Sequence, residues 1–230
     1  MILRVADLNI EVPEAGGLAP RCQAYLTGDR AAADIVIPES SYRLDTWEGI
    51  SYENACYMES GYQFYARLLE HGGLMLHSSA LSWGGKAYLF SGPSTVGKST
   101  HTRMWQRLYP GVEILNDDKP ALRCIHGVWY AYGTPWCGKD GINKNGKAPL
   151  AGICFLKQAQ ENRIRRLSVP EALASCLSQI QRFTKPENVE KQLLLLEKLV
   201  STVPVWELEN CPTEEAARLS HDTMVCGESE

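Results

Sequence analysis

One stretch constrains this chain more than any other: Gly92-Pro93-Ser94-Thr95-Val96-Gly97-Lys98-Ser99. Ahead of it, Lys86 to Ser91 has strand character; after it, Thr100 to Tyr109 reads as a helix stopped by Pro110-Gly111. Between a strand and a helix, the two glycines let the backbone turn so that successive N–H groups point inward at an anion. The positive end of the following helix faces the same point. The pattern predicts a phosphate cradle made by Gly92, Ser94, Thr95, Val96, Gly97, Lys98, Ser99 and Thr100. Lys98 carries a point charge to terminal phosphates, and the Ser99 hydroxyl can ligate the magnesium that accompanies ATP. A chance glycine-rich turn would lack these flanks.

Val112 to Leu115 reads as a short buried strand ending at Asn116-Asp117-Asp118. Side-chain alternation points two adjacent carboxylates in different directions. One can hold a metal ion, while the other accepts a proton from an attacking hydroxyl. A solvated turn with a salt bridge to Lys119 is the competing reading, and without the phosphate loop it would be preferred. Leu74 to Trp83, Gly84-Gly85 and Lys86 to Ser91 read as a hairpin with a tight turn. His77 lies on its first strand, within His77-Ser78-Ser79-Ala80; alone, such a histidine reads as an ordinary core or surface residue.

The order of these elements resembles the HPr kinase/phosphorylase and phosphoenolpyruvate carboxykinase superfamily. In the carboxykinases a His-Cys-Ser-Ala stretch precedes the loop, and a Ser-Asp-Asp or Gly-Asp-Asp follows it. The matching stretches here are His77-Ser78-Ser79-Ala80 and Asn116-Asp117-Asp118. The match is good over Leu74 to Tyr132 and looser over the N-terminal strands and Tyr132 to Trp136. The resemblance implies catalytic roles for Lys98, Asp117, Asp118 and His77. Ser99 and Asp118 would hold magnesium, Asp117 would be the base or would orient the metal-bound water, and His77 would face the transferring phosphate or a second metal. The division between Asp117 and Asp118 stays open. Neither the signature through which HPr kinases engage their protein target nor a match to their N-terminal domain is found in these residues. The chain is also too short for a carboxykinase. The pattern is closest to small bacterial HPr-kinase-related proteins, some of which phosphorylate a peptide serine.

The resulting expectation is an α/β fold: a mixed β-sheet P-loop kinase domain of the HPr kinase/phosphoenolpyruvate carboxykinase type, with C-terminal helices. The 230 residues suit a single domain. It divides into a β-rich N-terminal part (1–73), the P-loop core (74–160) and a helical C-terminal region (161–230). Met1 to Ile10 alternates as a strand, 13–20 reads as a turn, and Tyr25-Leu26 and Ile35 to Ile37 as short strands. Asn54 to His71 fits a helix ended by Gly72-Gly73. Ala121 to Ile125 and Val128 to Tyr132 form a second hairpin, and Leu150 to Leu156 a strand. Two helices follow, one opened by the capping box Ser168-x-x-Glu171 and one over Pro186 to Thr202. Val203 to Leu208 is a last strand, and Pro212 opens a last helix.

Gly133 to Pro149 is a long loop carrying Lys139, Lys144 and Lys147. These are candidates for a lid that closes over ATP or product, against the plainer reading of a solvated loop. The cluster Arg163, Arg165 and Arg166 reads as a solvated face. A formal net charge of -4 argues against nucleic acid as a partner. No apolar run reaches the length that spans a bilayer, and no signal peptide is evident, so a cytoplasmic location is expected. The 8 cysteines are scattered without a Cys-x-x-Cys pair, which predicts reduced, buried thiols and no zinc site. The chemistry expected is ATP- and magnesium-dependent phosphate transfer to a hydroxyl, foremost a serine of a peptide or small protein. The alternatives are a kinase of a small metabolite and a nucleotide-binding regulator that transfers nothing useful. A homo-oligomer is compatible with all three.

Overall fold

A computed structural model describes residues 1–14, 18–28 and 32–226. The expected turn over 13–20 falls partly at residues 15–17, outside the described residues. The N-terminal alternation permits one long strand or two, and the chain takes the second. β1 (Ile2–Val5) and β2 (Leu8–Glu11) pair antiparallel, across a turn in which Ala6 and Asp7 have φ of 52° and 60°. Left-handed backbone is unfavourable for alanine, so tertiary contacts must hold the turn. Asp7 Oδ2 accepts hydrogen bonds from the Tyr132 hydroxyl at 2.7 Å and from Lys147 Nζ at 2.6 Å. Tyr25 closes a 3₁₀ turn (Gln23–Tyr25) instead of opening a strand. β3 (Ile35–Val36) joins β2 in parallel.

Helix α1 (Tyr52–Leu68) starts at Ser51, whose side chain accepts from the Asn54 N–H, and leaves through a 3₁₀ turn to Gly72 at φ 69°. The expected strand Leu74 to Trp83 is broken in two, β4 (Gly73–Met75) and β5 (Ser78–Trp83), and β6 (Lys86–Ser91) returns beside β5. Next come α2 (Lys98–Leu108), β7 (Glu113–Asn116), β8 (Ala121–Ile125) and β9 (Val128–Tyr132). β10 (Lys147–Gln158) starts three residues before the expected Leu150, because Lys147 to Pro149 pair with β9. β11 (Arg163–Arg166), α3 (Val169–Leu177), α4 (Pro186–Thr202), β12 (Val205–Asn210) and α5 (Glu214–Cys226) complete the chain. The C-terminal stretch therefore adds two strands as well as helices.

Among the described residues the main sheet has nine strands. Its path runs β4-β8-β9-β10-β6-β5-β7, with β12 beside the second half of β10 and β11 outside β12. β10 is parallel to β6 and β12 and antiparallel to β9, so the sheet is mixed and the expected α/β class holds. β4 and β5 stand far apart on that path, yet only Leu76 and His77 separate them in sequence. The sheet must curl strongly for two residues to bridge that gap.

Period-two alternation sends Leu89 to one face and Tyr88 and Phe90 to the other. The first face packs on α1, α3 and α4 through Phe64, Tyr65, Leu68, Cys176, Leu196 and Leu199. The second packs on α2 and α5 through Met104, Trp105, Ala217 and Met224. No helix of the described residues is long and apolar enough to cross a membrane.

Candidate active site

The loop after β6 turns as its glycines allow. Gly92 has φ 136° and Gly97 φ 107°. A Cβ on Gly92 would also lie 3.0 Å from the Leu156 carbonyl oxygen, so the position has neither the angle nor the room for a side chain. Gly97 caps α2, and Lys98 is the first helical residue, two residues earlier than expected. The Lys98 side chain folds back over the loop, donating to the carbonyls of Gly92 at 2.9 Å and Pro93 at 3.1 Å. Burial lowers its proton affinity, and the negative charge of Asp118 works against that.

Ser94, Thr95, Gly97, Lys98, Ser99 and Thr100 line one side of a cleft of about 530 Å³. His77, Asp117, Asp118, Gly138, Lys139 and Asp140 line the other side. Gly92 and Val96 stand behind the cleft, Val96 against the core beneath α2.

The strand end that supplies the carboxylates is organised by Asn116, which is fully buried. Its Oδ1 accepts the N–H groups of Asp118 at 2.9 Å and Lys119 at 2.7 Å. Its Nδ2 donates to the carbonyls of Thr134 at 3.0 Å and Trp136 at 3.1 Å. This side-chain-to-backbone turn fixes where both aspartates leave the strand.

The two carboxylates then diverge. Asp117 is 7% exposed, and its Oδ1 accepts the N–H of Gly138 at 2.6 Å. A Cβ on Gly138 would fall 2.9 Å from Asp117 Oδ2, so glycine is what allows the backbone so close. Burial pushes the Asp117 carboxyl above the usual carboxylate range; the Gly138 N–H opposes this, and the charge of Asp118 adds to it. For Asp118, burial also favours the neutral form, but the hydrogen bond from His77 and the charge and hydrogen bond of Lys119 outweigh it. The net shift is downward. His77 Nε2 lies 2.9 Å from Asp118 Oδ1, and Lys119 Nζ pairs with Oδ2. The salt bridge weighed against a functional reading is thus present, inside the cleft rather than on a solvated turn.

His77 sits in the break between β4 and β5. Its N–H donates to the Gln179 carbonyl at 2.8 Å, and its Nδ1 lies 3.3 Å from Gln179 Oε1. Gln179 follows α3 by two residues, and no local motif marks it. Asn116 was more legible, since asparagine ahead of a strand-end turn has a known backbone-bonding habit.

The loop 133–146 separates the three lysines. Lys139 lines the cleft. Lys144 pairs with Glu113, and Lys147 lies on β10 bonded to Asp7, away from the cleft. Nor is the loop loose. Thr134, Trp136 and Cys137 are buried, and Trp136 stacks on Phe64 at 4.6 Å with its Nε1 donating to Ser60 at 3.0 Å. The backbone is pinned by Lys144 N–H to the Leu115 carbonyl at 2.9 Å and by Asp117 N–H to the Ile142 carbonyl at 3.2 Å.

Among the described residues no group of three or more His, Cys, Asp or Glu gathers to hold a metal. The donors fit an ion that arrives with its ligand. Magnesium keeps waters and phosphate oxygens and takes one or two protein groups, and Ser99 and Asp118 line the same cleft.

No protein-family model matches this chain, and no curated protein matches it. Among solved structures, the Hpr(Ser) kinase/phosphatase from Coxiella burnetii is similar, with a TM-score of 0.38 and 11% sequence identity over 67% of this chain and 95% of that one. The likeness is distant, and the functional reading rests on the cleft itself.

Proposed function

We propose that this chain is an ATP- and magnesium-dependent kinase that transfers phosphate to a hydroxyl, foremost a serine of a peptide or small protein. The observation that carries the reading is the cleft, where the phosphate loop faces Asp117, Asp118 and His77. Loop N–H groups and the start of α2 hold phosphate oxygens. Lys98, exchanging the Gly92 and Pro93 carbonyls for phosphate oxygens, neutralises their charge. Ser99 and Asp118 hold the magnesium, which supplies further neutralisation when bound. Asp118 suits that role because its partners keep it ionised. Asp117, whose proton affinity is raised, suits the role of base. It accepts the proton of the acceptor hydroxyl as that oxygen bonds to phosphorus and the bond to the bridging oxygen breaks, leaving ADP. His77, steadied by Gln179, faces the group in transit.

The test is transfer from labelled ATP to serine-containing peptides and small hydroxyl compounds, read by mass spectrometry across a magnesium titration. Asp117→Asn should keep nucleotide affinity and lower transfer by about two orders of magnitude or more. Asp118→Asn should weaken the magnesium dependence. Wild-type transfer rates in both variants would sink the reading and favour a nucleotide-binding regulator.

A further inference from the structure

Beyond Lys119 lies a groove that the proposed chemistry leaves unused. Its floor is α1, and its walls are the turn around Arg43 to Trp47 and the segment between α3 and α4. Two adjoining hollows of about 330 and 410 Å³ form it and share Arg43, Tyr62 and Thr184. A narrow hollow of about 40 Å³, lined in part by Trp47, Tyr62, Gln181 and Lys119, leads from them toward the cleft. Lys119 is the common wall, since its Nζ pairs with Asp118 inside the cleft.

The charges in this groove are unbalanced. Arg43, Arg182 and Lys185 are exposed and form no ion pair among the described residues. The carboxylates that line it are mostly engaged, and Asp45 and Glu48, exposed on the turn, line neither hollow. Glu59 is 2% exposed beneath the groove, accepting from the Trp47 indole N–H at 3.1 Å and from Gln63 Nε2 at 2.7 Å. Glu70 is paired with Lys191, which leaves Glu187. An excess of free cations on a chain with a formal net charge of -4 marks a local preference for anions. The half-buried rings of Trp47 and Tyr62 add aromatic faces. An elongated, open groove suits an extended chain, whereas a small ligand is ordinarily enclosed.

We infer that this groove binds an acidic peptide segment, its carboxylates on Arg43 and Arg182, and presents the segment's serine past Lys119 to the cleft. The fate of that serine rests on the kinase reading above; the binding does not. The probes are fluorescently labelled nonapeptides with a central serine and one tryptophan, flanked by aspartates or, in the counterpart, by lysines. Anisotropy with the full chain and no nucleotide should show the aspartate peptide bound at least about tenfold tighter, with affinity falling as salt rises. Arg43→Glu with Arg182→Glu should lower that affinity about tenfold or more and leave binding of a fluorescent ATP analogue unchanged. Arg182→Glu alone carries the test if the double variant does not fold. Equal binding of the two peptides, or unchanged affinity in the folded variant, overturns the inference. Charge-selective binding without phosphorylation upholds the groove and counts against the kinase reading. Phosphorylation of a small hydroxyl compound or the lysine peptide, insensitive to the charge reversal, does the opposite.

Discussion

Nε2 of His77 lies 2.9 Å from Oδ1 of Asp118, although 41 positions separate them in sequence. The contact joins the break in one strand to the end of another, on the wall of the cleft that faces the phosphate loop. Gln179 holds the other side of the imidazole. We expect Gln179→Leu to lower the transfer rate while nucleotide affinity stays at the wild-type value, because the side chain touches His77 and does not line the cleft. Gln179→Glu, which keeps the acceptor oxygen, should recover part of the rate. A parallel loss of nucleotide affinity would mean that Gln179 supports the fold rather than the imidazole.

Lys98→Ala should reduce nucleotide affinity and turnover together, turnover by about 10²-fold or more, the scale for losing one preorganised charge from a transfer site. Titration with a fluorescent ATP analogue, beside a transfer assay, measures both. The free protein should keep nearly its full stability, since the Gly92 and Pro93 carbonyls that Lys98 now caps lie beside an open cleft where water can replace it.

Asp117 carries a pH signature of its own. Its carboxyl is raised in the folded chain, so the folded state binds that proton more tightly than the unfolded state does. The ionised group therefore costs stability above the raised value, and the cost fades as pH falls toward the ordinary carboxylate range. Asp117→Asn should raise the melting temperature of the free protein at pH 7 and lose that advantage near pH 4. A variant less stable than wild type at pH 7 would show that the Gly138 hydrogen bond outweighs the desolvation.

Asn116→Ala should destabilise the chain by about 2–4 kcal/mol, since it leaves several buried backbone groups without partners. Denaturant unfolding reads this directly. Asn116→Asp keeps Oδ1 for the Asp118 and Lys119 N–H groups but loses the donors to Thr134 and Trp136. It should also be destabilised, because it buries a third negative charge beside two others.

What could be read in the sequence followed local chemistry. The glycines of the phosphate loop, the His126-Gly127 turn, the Ser168 capping box and the start of α4 at Pro186 all act within a few residues of themselves. What could not be read depended on distant partners. Ala6 gives no sign of a left-handed turn, because Tyr132 and Lys147 hold its neighbour Asp7. Nothing in Leu74 to Trp83 marks the break at Leu76-His77, which follows from where β4 and β5 find their partners. Lys144 and Lys147 looked like Lys139 in the sequence. Glu113 and Asp7 draw them away from the cleft.

The break at Leu76-His77 also sets an order of assembly. His77 is anchored by Gln179, 102 residues later, and Leu76 forms a bridge with Ile180. A chain leaving the ribosome thus completes its phosphate loop some eighty residues before the segment that steadies its histidine exists. Closing so long a span is slow compared with forming hairpins. Nascent chains released short of residue 179 would carry the loop and both aspartates but an imidazole held by Asp118 alone, so the whole cleft comes together only once Gln179 has been made.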